Sequence, residues 1–321
     1  MSETSGPPSS GGPLVVVGDV VTDIVCAPTG PWRMGSDTDA AISVRAGGSA
    51  ANTAAWAASA AAALGRLVDV VFVGRVGSDD ASWHRGVLAD VGVDPQLIVD
   101  DAVATTRLVA LIDSVTGERT MLTDRGAGTR LATADIDAAL IATASWVHLS
   151  GYLLFAASPQ ATLRHIVGIC HAAGVPWSVD PSSAGYLADL GIDAARHLLH
   201  GASIGFPNGE EALLLARLPP DGDVDVAACA LTELWGTVVV KLGAEGVIVA
   251  RDGAIVARSH ALTVPVVVDA VGAGDAFAGG WLAAGVGGGS ERDCLTSALR
   301  TAAAALGVIG GRPPMVRPEG R

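Results

Sequence analysis

Apolar residues along the chain fall into two patterns, short continuous runs and longer stretches with helical spacing. The short runs have the length and β-branched content of buried strands and occupy 14–18, 68–73, 145–149, 175–179, 202–206, 237–241 and 264–268. The helical stretches occupy 50–64, 82–91, 159–173, 194–199, 210–218, 226–235, 274–284 and 291–306. Strands separated by helices in this way predict an α/β fold with a doubly wound, mostly parallel sheet flanked by helices.

Two stretches, at about 24–45 and 104–125, interrupt this alternation. Both have the pattern of β-hairpins, and in the second a turn at Thr116-Gly117 separates two strand-like runs. We expect the two stretches to pair into a small, discontinuous β-sheet that stands off the main sheet as a lid, and lids exclude water during group transfer. Two surface hairpins without a common role would give the same pattern.

The start of the chain and its longest uncharged stretch bear on the domain organisation. Residues 1–12 are rich in Ser, Gly and Pro, so we expect a disordered tail there rather than a signal peptide. A single domain is expected over 13–321. The uncharged stretch between Arg45 and Arg66 is mostly alanine, which predicts a tightly packed internal helix and not a membrane span.

The composition narrows the class of function. The net charge is −13, from 20 basic and 33 acidic residues, which argues against a protein that binds nucleic acid through its phosphates. Half of the residues are apolar and 17% are charged, as expected of a globular chain. The four cysteines are widely separated and form no metal-binding pattern with the histidines.

The strongest candidate for chemistry is a turn late in the chain. An apolar strand is expected to end at Asp269, followed by Gly272-Ala273-Gly274 and a helix that starts at Asp275. Bare backbone N–H groups at a helix N-terminus form an anion site. A carboxylate at the same turn can accept a proton from a hydroxyl that attacks phosphorus. A helix cap beside a tight turn would produce the same residues.

A second segment, with Gly47-Gly48 before the alanine-rich helix and Asn52 in its first turns, accompanies this turn. Together the two segments resemble the two signature motifs of the ribokinase-like, PfkB-type carbohydrate kinases. The resemblance runs from about 14 to 312, in the family's order. It includes Gly18–Asp23, Gly74–Asp79, Gly92–Asp94, the segment with Gly117-Glu118-Arg119, Asn208-Gly-Glu-Glu211 and Lys241–Gly246.

This resemblance implies a role for each matching residue. Asp275 would be the catalytic base, and the backbone N–H groups of Gly272, Ala273 and Gly274 would form the anion hole. The hydroxyl groups of the substrate would be bound by Asp23, Gly47, Gly48 and Asn52. The nucleotide would be bordered by Asn208, Lys241, Gly243 and Gly246. Each polar residue among these could instead cap an element or be solvated.

The resemblance also implies the cofactors, ATP and Mg²⁺. Glu211, with Asn208, would position a hydrated magnesium ion, which keeps its waters. Asp269 resembles a residue that helps to seat a monovalent cation such as K⁺ beside the anion hole; it could also simply cap the turn.

The resemblance leaves the substrate open between a sugar and a nucleoside. The leading hypothesis is an ATP-dependent kinase that acts on a hydroxymethyl group of a sugar. The segment His148–Leu154 is as similar to nucleoside kinases as to ribokinases, and Val21, Ser49-Ala50 and the lack of an acidic residue near Ser150 depart from the ribokinase pattern. Trp32, in the expected lid, either covers the substrate or packs within the lid.

Two other classes of function fit the sequence less well. A nicotinamide-dependent oxidoreductase would need G-x-G-x-x-G after the first strand, where the chain has Gly18-Asp-Val-Val-Thr-Asp. An inactive sensor of sugar or nucleotide would be expected to lack the base, which is present as Asp275. We expect a cytoplasmic enzyme that binds neither nucleic acid nor membranes, with a homodimer through the lid as one arrangement.

Overall fold

The computed structural model of the protein describes residues 11–115 and 119–314. The disordered tail predicted at 1–12 lies almost wholly outside these residues. The predicted turn at Thr116-Gly117 and the matching Glu118 also lie outside them.

The strands within the described residues form one large and one small sheet. In chain order they are β1 (Leu14–Val17), β2 (Val21–Pro28), β3 (Ala40–Gly47), β4 (Val70–Gly77), β5 (Val93–Asp100), β6 (Thr106–Ile112), β7 (Arg119–Asp124), β8 (Trp146–Ser150), β9 (Trp177–Asp180), β10 (Ile204–Gly205), β11 (Thr237–Lys241), β12 (Val247–Arg251) and β13 (Ala254–Ser259). The large sheet has the order β13-β12-β11-β10-β9-β8-β1-β4-β5. All of its pairs are parallel except β11–β12 and β12–β13 at one edge.

The helices cover both faces of the large sheet because the inner strands are apolar on both sides. Along β1, Val15 and Val17 belong to one buried cluster, whereas Leu14 and Val16 belong to the other. The α-helices are α1 (Ser49–Ala63), α2 (Ala81–Ala89), α3 (Ala138–Ala142), α4 (Ala157–Ala173), α5 (Ala184–Leu190), α6 (Ile192–Leu199), α7 (Gly209–Leu215), α8 (Val224–Leu231), α9 (Ala273–Val286) and α10 (Glu291–Ala305). The predicted fold class, a mostly parallel sheet flanked by helices with a separate small sheet, is confirmed.

The alanine-rich helix α1 is buried along most of its length, as the sequence predicted. It packs so closely against α9 that a side chain on Gly279 would meet the carbonyl oxygen of Thr53 at 2.7 Å. Small residues on both helices therefore allow their backbones to approach. Throughout the two described ranges, no helix combines the length and the apolar character that a membrane crossing requires.

The small sheet consists of β3, β2, β6 and β7, in that order. Its two hairpins are far apart in sequence but join through parallel pairing of β2 with β6, in which Val21 lies opposite Thr106. The stretches that interrupted the helical alternation therefore form one sheet, and its strands begin or end at the carboxyl edge of the large sheet.

One predicted strand is wrong. Residues 264–268 form no strand and pair with none among the described residues, and Val266, Val267 and Val268 are about half exposed or more. The hairpin of β12 and β13 already forms the edge of the large sheet, so the chain leaves the sheet after Ser259. The β-branched run then has no neighbour with which to pair. Helix α9 also begins at Ala273, slightly before the predicted start.

Candidate active site

A cavity of about 530 Å³ lies between the carboxyl edge of the large sheet and the small sheet. Parallel strands that diverge at such an edge leave a crevice in which α/β proteins bind ligands. The sequence-predicted residues on its wall are Asp23, Gly48, Asn52, Asn208, Glu211, Lys241, Asp269, Gly272 and Asp275. The fold thus brings most of the predicted site together from distant parts of the chain.

Asp275 lies in the first turn of α9, where the helix presents N–H groups without partners inside the helix. The helix is preceded by Gly272 in a left-handed conformation with φ of 77°, and a side chain there would meet the Cα of Gly311 at 2.6 Å. Only glycine fits this turn. The carboxylate itself accepts hydrogen bonds from the Ser49 hydroxyl at 2.7 Å and from Nδ2 of Asn52 at 2.9 Å.

Burial raises the pKa of Asp275 from 3.8 to about 7. The negative charge of Asp180 contributes to this increase, whereas the bonds from Asn52 and Ser49 and the charge of Lys241 oppose it. A carboxyl group with a pKa near neutrality can exchange a proton with a hydroxyl more readily than an ordinary aspartate.

The start of α1 forms a second wall of the cavity. Gly48, with φ of 99°, precedes the helix, and the carboxylate of Asp19 accepts bonds from the N–H groups of Ser49 and Ala50 at 2.6 and 3.3 Å. The Ser150 hydroxyl donates to the same carboxylate at 2.7 Å. Asp19 therefore ties β1, α1 and β8 together beside the cavity. The sequence did not single it out, although it directly follows Gly18 in the first matching motif.

Asp23 lies on β2 beside the backbone of Gly47, so closely that a side chain on Gly47 would meet its Oδ2 at 2.1 Å. Burial raises the pKa of Asp23 to about 6, and the charge of Arg312 opposes this increase. Arg312 is 8% exposed and donates from Nη2 to the carbonyl oxygen of Gly47 at 2.7 Å. Gly47 thus packs behind Asp23 and is not on the cavity wall.

Lys241, at the end of β11, forms an ion pair with Asp180 at the end of β9. The ammonium group also lies beside the α9 turn, because a side chain on Gly274 would meet it at 3.3 Å. The charges of Asp180 and Glu211 raise the pKa of Lys241 against the opposing effect of burial. Asp180 was not predicted from the sequence, because its role depends on the adjacency of two strands that are distant in the chain.

Asn208 and Glu211 form a reciprocal cap at the start of α7. The N–H of Glu211 donates to Oδ1 of Asn208, and the N–H of Asn208 donates to Oε2 of Glu211, both at 2.9 Å. Glu211 is 2% exposed, so it is not the solvated helix residue that the sequence left open. Burial raises the pKa of its carboxyl group, with a further contribution from Asp180.

Four predicted site residues are absent from the cavity wall besides Gly47: Ala273, Gly274, Gly243 and Gly246. Ala273 and Gly274 belong to the α9 turn, which faces the cavity through Gly272 and Asp275. Position 246 requires glycine for a structural reason, because a side chain there would meet the carbonyl oxygen of Ser259 at 2.0 Å. Asp269 accepts bonds from the N–H groups of Val271 and Gly310 at 3.1 and 3.0 Å.

The face of the small sheet that covers the cavity combines apolar residues of β2, β6 and β7 with two charged residues, Asp23 on β2 and Arg45 on β3. Next to it, Tyr152 and Tyr186 line the wall, and Arg125 lies 5.3 Å from the centre of the Tyr186 ring. Trp32 is not on this wall and is 40% exposed.

The base of the small sheet is held to the large sheet by two adjacent carboxylates. Asp80, which precedes α2, accepts bonds from the hydroxyls of Thr22 on β2 and Thr105 before β6. Asp79 accepts bonds from the N–H of Thr105 and from the Arg107 guanidinium. One loop thus holds both hairpins where they leave the large sheet.

The comparison with known proteins agrees with this architecture. The sequence model described as "pfkB family carbohydrate kinase" matches residues 13–317. The chain belongs to this family. A relative in Haloferax volcanii, 1-phosphofructokinase, is 30% identical over 282 residues, which are 86% of this chain and 84% of the relative. The PfkB assignment from the sequence motifs, and with it a carbohydrate kinase, is confirmed.

Solved structures of PfkB relatives show the same fold. Adenosine kinase from Sinorhizobium meliloti superposes with a TM-score of 0.81 at 25% identity, over 94% of this chain and 95% of that one. Ribokinase from Arabidopsis thaliana, solved with ribose and ATP, superposes with a TM-score of 0.73 at 25% identity, over 93% and 94% of the two chains. The relatives include both sugar and nucleoside kinases.

Proposed function

We propose that this protein is an ATP-dependent phosphotransferase that phosphorylates a hydroxymethyl group of a sugar. Asp275 is the catalytic base, and the turn formed by Gly272, Ala273 and Gly274 is the anion hole. The observation that carries the proposal is the position of the Asp275 carboxylate at the first turn of α9, on the wall of a cavity that also contains Asp23.

In this mechanism Asp275 takes the proton of the attacking hydroxyl. Ser49 and Asn52 hold its carboxylate in a fixed orientation, so little reorganisation is needed. The first N–H groups of α9 stabilise the charge that develops on the transferred group, supported by the helix dipole. The small sheet excludes water from the reacting atoms, as a lid on a single domain over 13–321.

The substrate contacts are divided between two elements. Asp23 accepts a hydrogen bond from a hydroxyl group of the sugar, and the nearby charge of Arg312 favours its ionised form. Gly48 and Asn52, at the start of α1, contact further hydroxyls, and Gly47 lets the chain pass close behind Asp23.

The nucleotide side of the cavity contains Asn208, Glu211 and Lys241. The turn that contains Gly243 and Gly246 comes directly after Lys241 in the chain. ATP would supply the phosphoryl group, and Mg²⁺ would offset the negative charge of the triphosphate. The buried carboxylate of Glu211 fits such an ion, since magnesium is commonly held by one or two carboxylates, phosphates and its own waters. Asp269 is our candidate for a K⁺ contact; its two oxygens also accept the backbone N–H groups of Val271 and Gly310.

A nucleoside acceptor is the second candidate, and the apolar cover of the cavity favours it. Val25, Leu108 and Met121 on the small sheet, with Tyr152 and Tyr186 opposite, offer surface for a flat base as well as for a sugar. Adenosine kinase among the structural relatives is in keeping with this candidate. A remote alternative, an inactive sensor of sugar or nucleotide, would bind these ligands without transfer.

We also propose a homodimer through the outer face of the small sheet, in a cytoplasmic protein. That face exposes Ile42, Val44 and Leu122 by 66%, 59% and 55%, an apolar surface of the kind that self-association covers.

A coupled phosphorylation screen over pentoses, hexoses, keto-deoxy sugar acids and nucleosides tests the proposed function. We expect ATP-dependent transfer to one acceptor class and a loss of about three orders of magnitude or more in Asp275→Asn, from removal of the base. Asp223→Asn is the matched control, because asparagine caps α8 as well as aspartate does. Binding of acceptor and ATP without transfer would contradict the kinase assignment and support the sensor.

A further inference from the structure

The segment Gly310–Arg312 contacts two walls of the cavity, the turn before α9 and the helix α1. The N–H of Gly310 donates to Asp269, and Gly311 packs against Gly272. The carbonyl oxygen of Gly311 accepts a bond from Nε1 of Trp56 on α1 at 2.8 Å. Arg312 then enters the interior, where 8% of the residue is exposed. A charged side chain in such a place needs a reason, because burying a cation costs free energy.

The contacts of Arg312 lead to the catalytic base. Its Nη2 donates to the carbonyl oxygen of Gly47 at 2.7 Å, and its Nε donates to Oδ1 of Asn52 at 3.4 Å. Nδ2 of Asn52 in turn donates to Oδ2 of Asp275 at 2.9 Å. A guanidinium group only donates and a carboxylate only accepts. Between these two partners, the amide of Asn52 has one favourable orientation.

We propose that Arg312 is a positioning residue for phosphoryl transfer, which fixes the amide of Asn52 so that its Nδ2 faces the carboxylate of Asp275. This inference rests on the function proposed above for Asp275. Without Arg312 the amide can turn over and present its oxygen to Asp275, which replaces an attractive contact by a repulsive one. The close packing supports this role, since a side chain on Gly311 would meet Nδ2 of Asn52 at 2.3 Å.

The electrostatics of the site agree with the geometry. The bond from Asn52 lowers the pKa of Asp275, and the charge of Arg312 lowers that of Asp23. Asp275 also faces Asp180 and Lys241, and Asp23 also faces Asp19. Both carboxyl groups should therefore bind protons more tightly when Arg312 is neutralised.

The experiment compares Arg312→Met with a matched variant, Arg196→Met. Arg196 also donates to a backbone carbonyl, that of Leu215 at 2.7 Å, but lies between α6 and α7 away from the cavity. The first readout is the carboxyl ¹³C titration of Asp275, assigned by its absence in Asp275→Asn. We expect the pKa of Asp275 to rise in Arg312→Met and to remain unchanged in Arg196→Met. An unchanged titration in a folded Arg312→Met protein would overturn the proposal.

The second readout is transfer to the acceptor identified in the screen. Loss of a charged hydrogen bond predicts a decrease in kcat/KM of about ten- to a hundredfold in Arg312→Met, and an acidic limb of the pH profile at higher pH. Arg312→Lys retains the charge without the planar fork, so its activity should be intermediate. If Arg312→Met fails to fold, Arg312→Lys tests the proposal in its place.

A double-mutant cycle with Asn52→Ala tests whether Arg312 acts through Asn52. Arg312→Met should raise the pKa of Asp275 and lower kcat/KM less in the Asn52→Ala background than in the wild type. Full additivity of the two substitutions would refute action through Asn52. Absence of transfer by the wild type to every acceptor would contradict the proposed function instead, while the titration of Asp275 would still decide the role of Arg312.

Discussion

The substitution Asp275→Asn should stabilise the protein at neutral and alkaline pH while it removes activity. The carboxyl group is held by Ser49 and Asn52 in a site where burial and Asp180 disfavour its charge, and Lys241 compensates only in part. Asparagine keeps nearly the same shape and an acceptor oxygen, but it carries no charge. The variant therefore relieves a cost that the proposed catalytic base imposes on folding.

The magnitude follows from the pKa of Asp275, about 7 in the folded protein against 3.8 ordinarily. Between these two values the unfolded chain releases a proton that the folded protein retains, so rising pH favours unfolding. The cost is absent below the lower value and complete above the higher one. The full difference between the two pKa values corresponds to about 4 kcal/mol in the free energy of unfolding. Since the group lines an open cavity, screening by water reduces the expected effect to about 2–3 kcal/mol.

Urea unfolding of the wild type, Asp275→Asn and the control Asp223→Asn measures this effect. The stability of Asp275→Asn relative to the wild type should increase by about 1–2 kcal/mol between about pH 5 and about pH 8, which covers most but not all of the interval between the two pKa values, whereas Asp223→Asn should follow the wild type. A stability difference that is constant with pH, or that falls as pH rises, would refute the assignment of a raised pKa to Asp275.

Three further predictions test the surroundings of the base. Gly272→Ala should lower transfer at least tenfold and destabilise the protein by about 1–3 kcal/mol, because the turn has φ of 77° and the new methyl group would overlap Gly311; thermal unfolding and kcat measure the two effects. Lys241→Met should cost about 3–5 kcal/mol by leaving Asp180 buried without its partner, and the double substitution with Asp180→Asn should recover much of this loss in denaturant unfolding. Asp80→Ala, which removes the bonds to both threonines at the base of the small sheet, should raise ATP hydrolysis relative to transfer; an unchanged ratio would contradict a closing role for that sheet.

Local pattern in the sequence determined the elements whose signal is strong within one segment. The continuous apolar run of β1 and the alanine-rich α1 were predicted within a residue or two. The hairpin of β12 and β13 was missed, although Asp252-Gly253 between two apolar runs is a hairpin signal and both residues have positive φ. The run at 264–268 was misassigned because a β-branched segment becomes a strand only if a neighbour is present to pair with it.

For the site, the sequence determined which residue types stand at the ends of which elements. Asp275 after a glycine turn and Asn52 near the start of a helix could be singled out because helix N-termini have local rules. The tertiary structure alone decided what faces them. Asp180 pairs with Lys241 because β9 and β11 lie on either side of the short β10. Arg312 contacts Asn52 because the chain after α10 passes back beside the start of α9. Such contacts depend on distances between remote segments, and no local pattern encodes them.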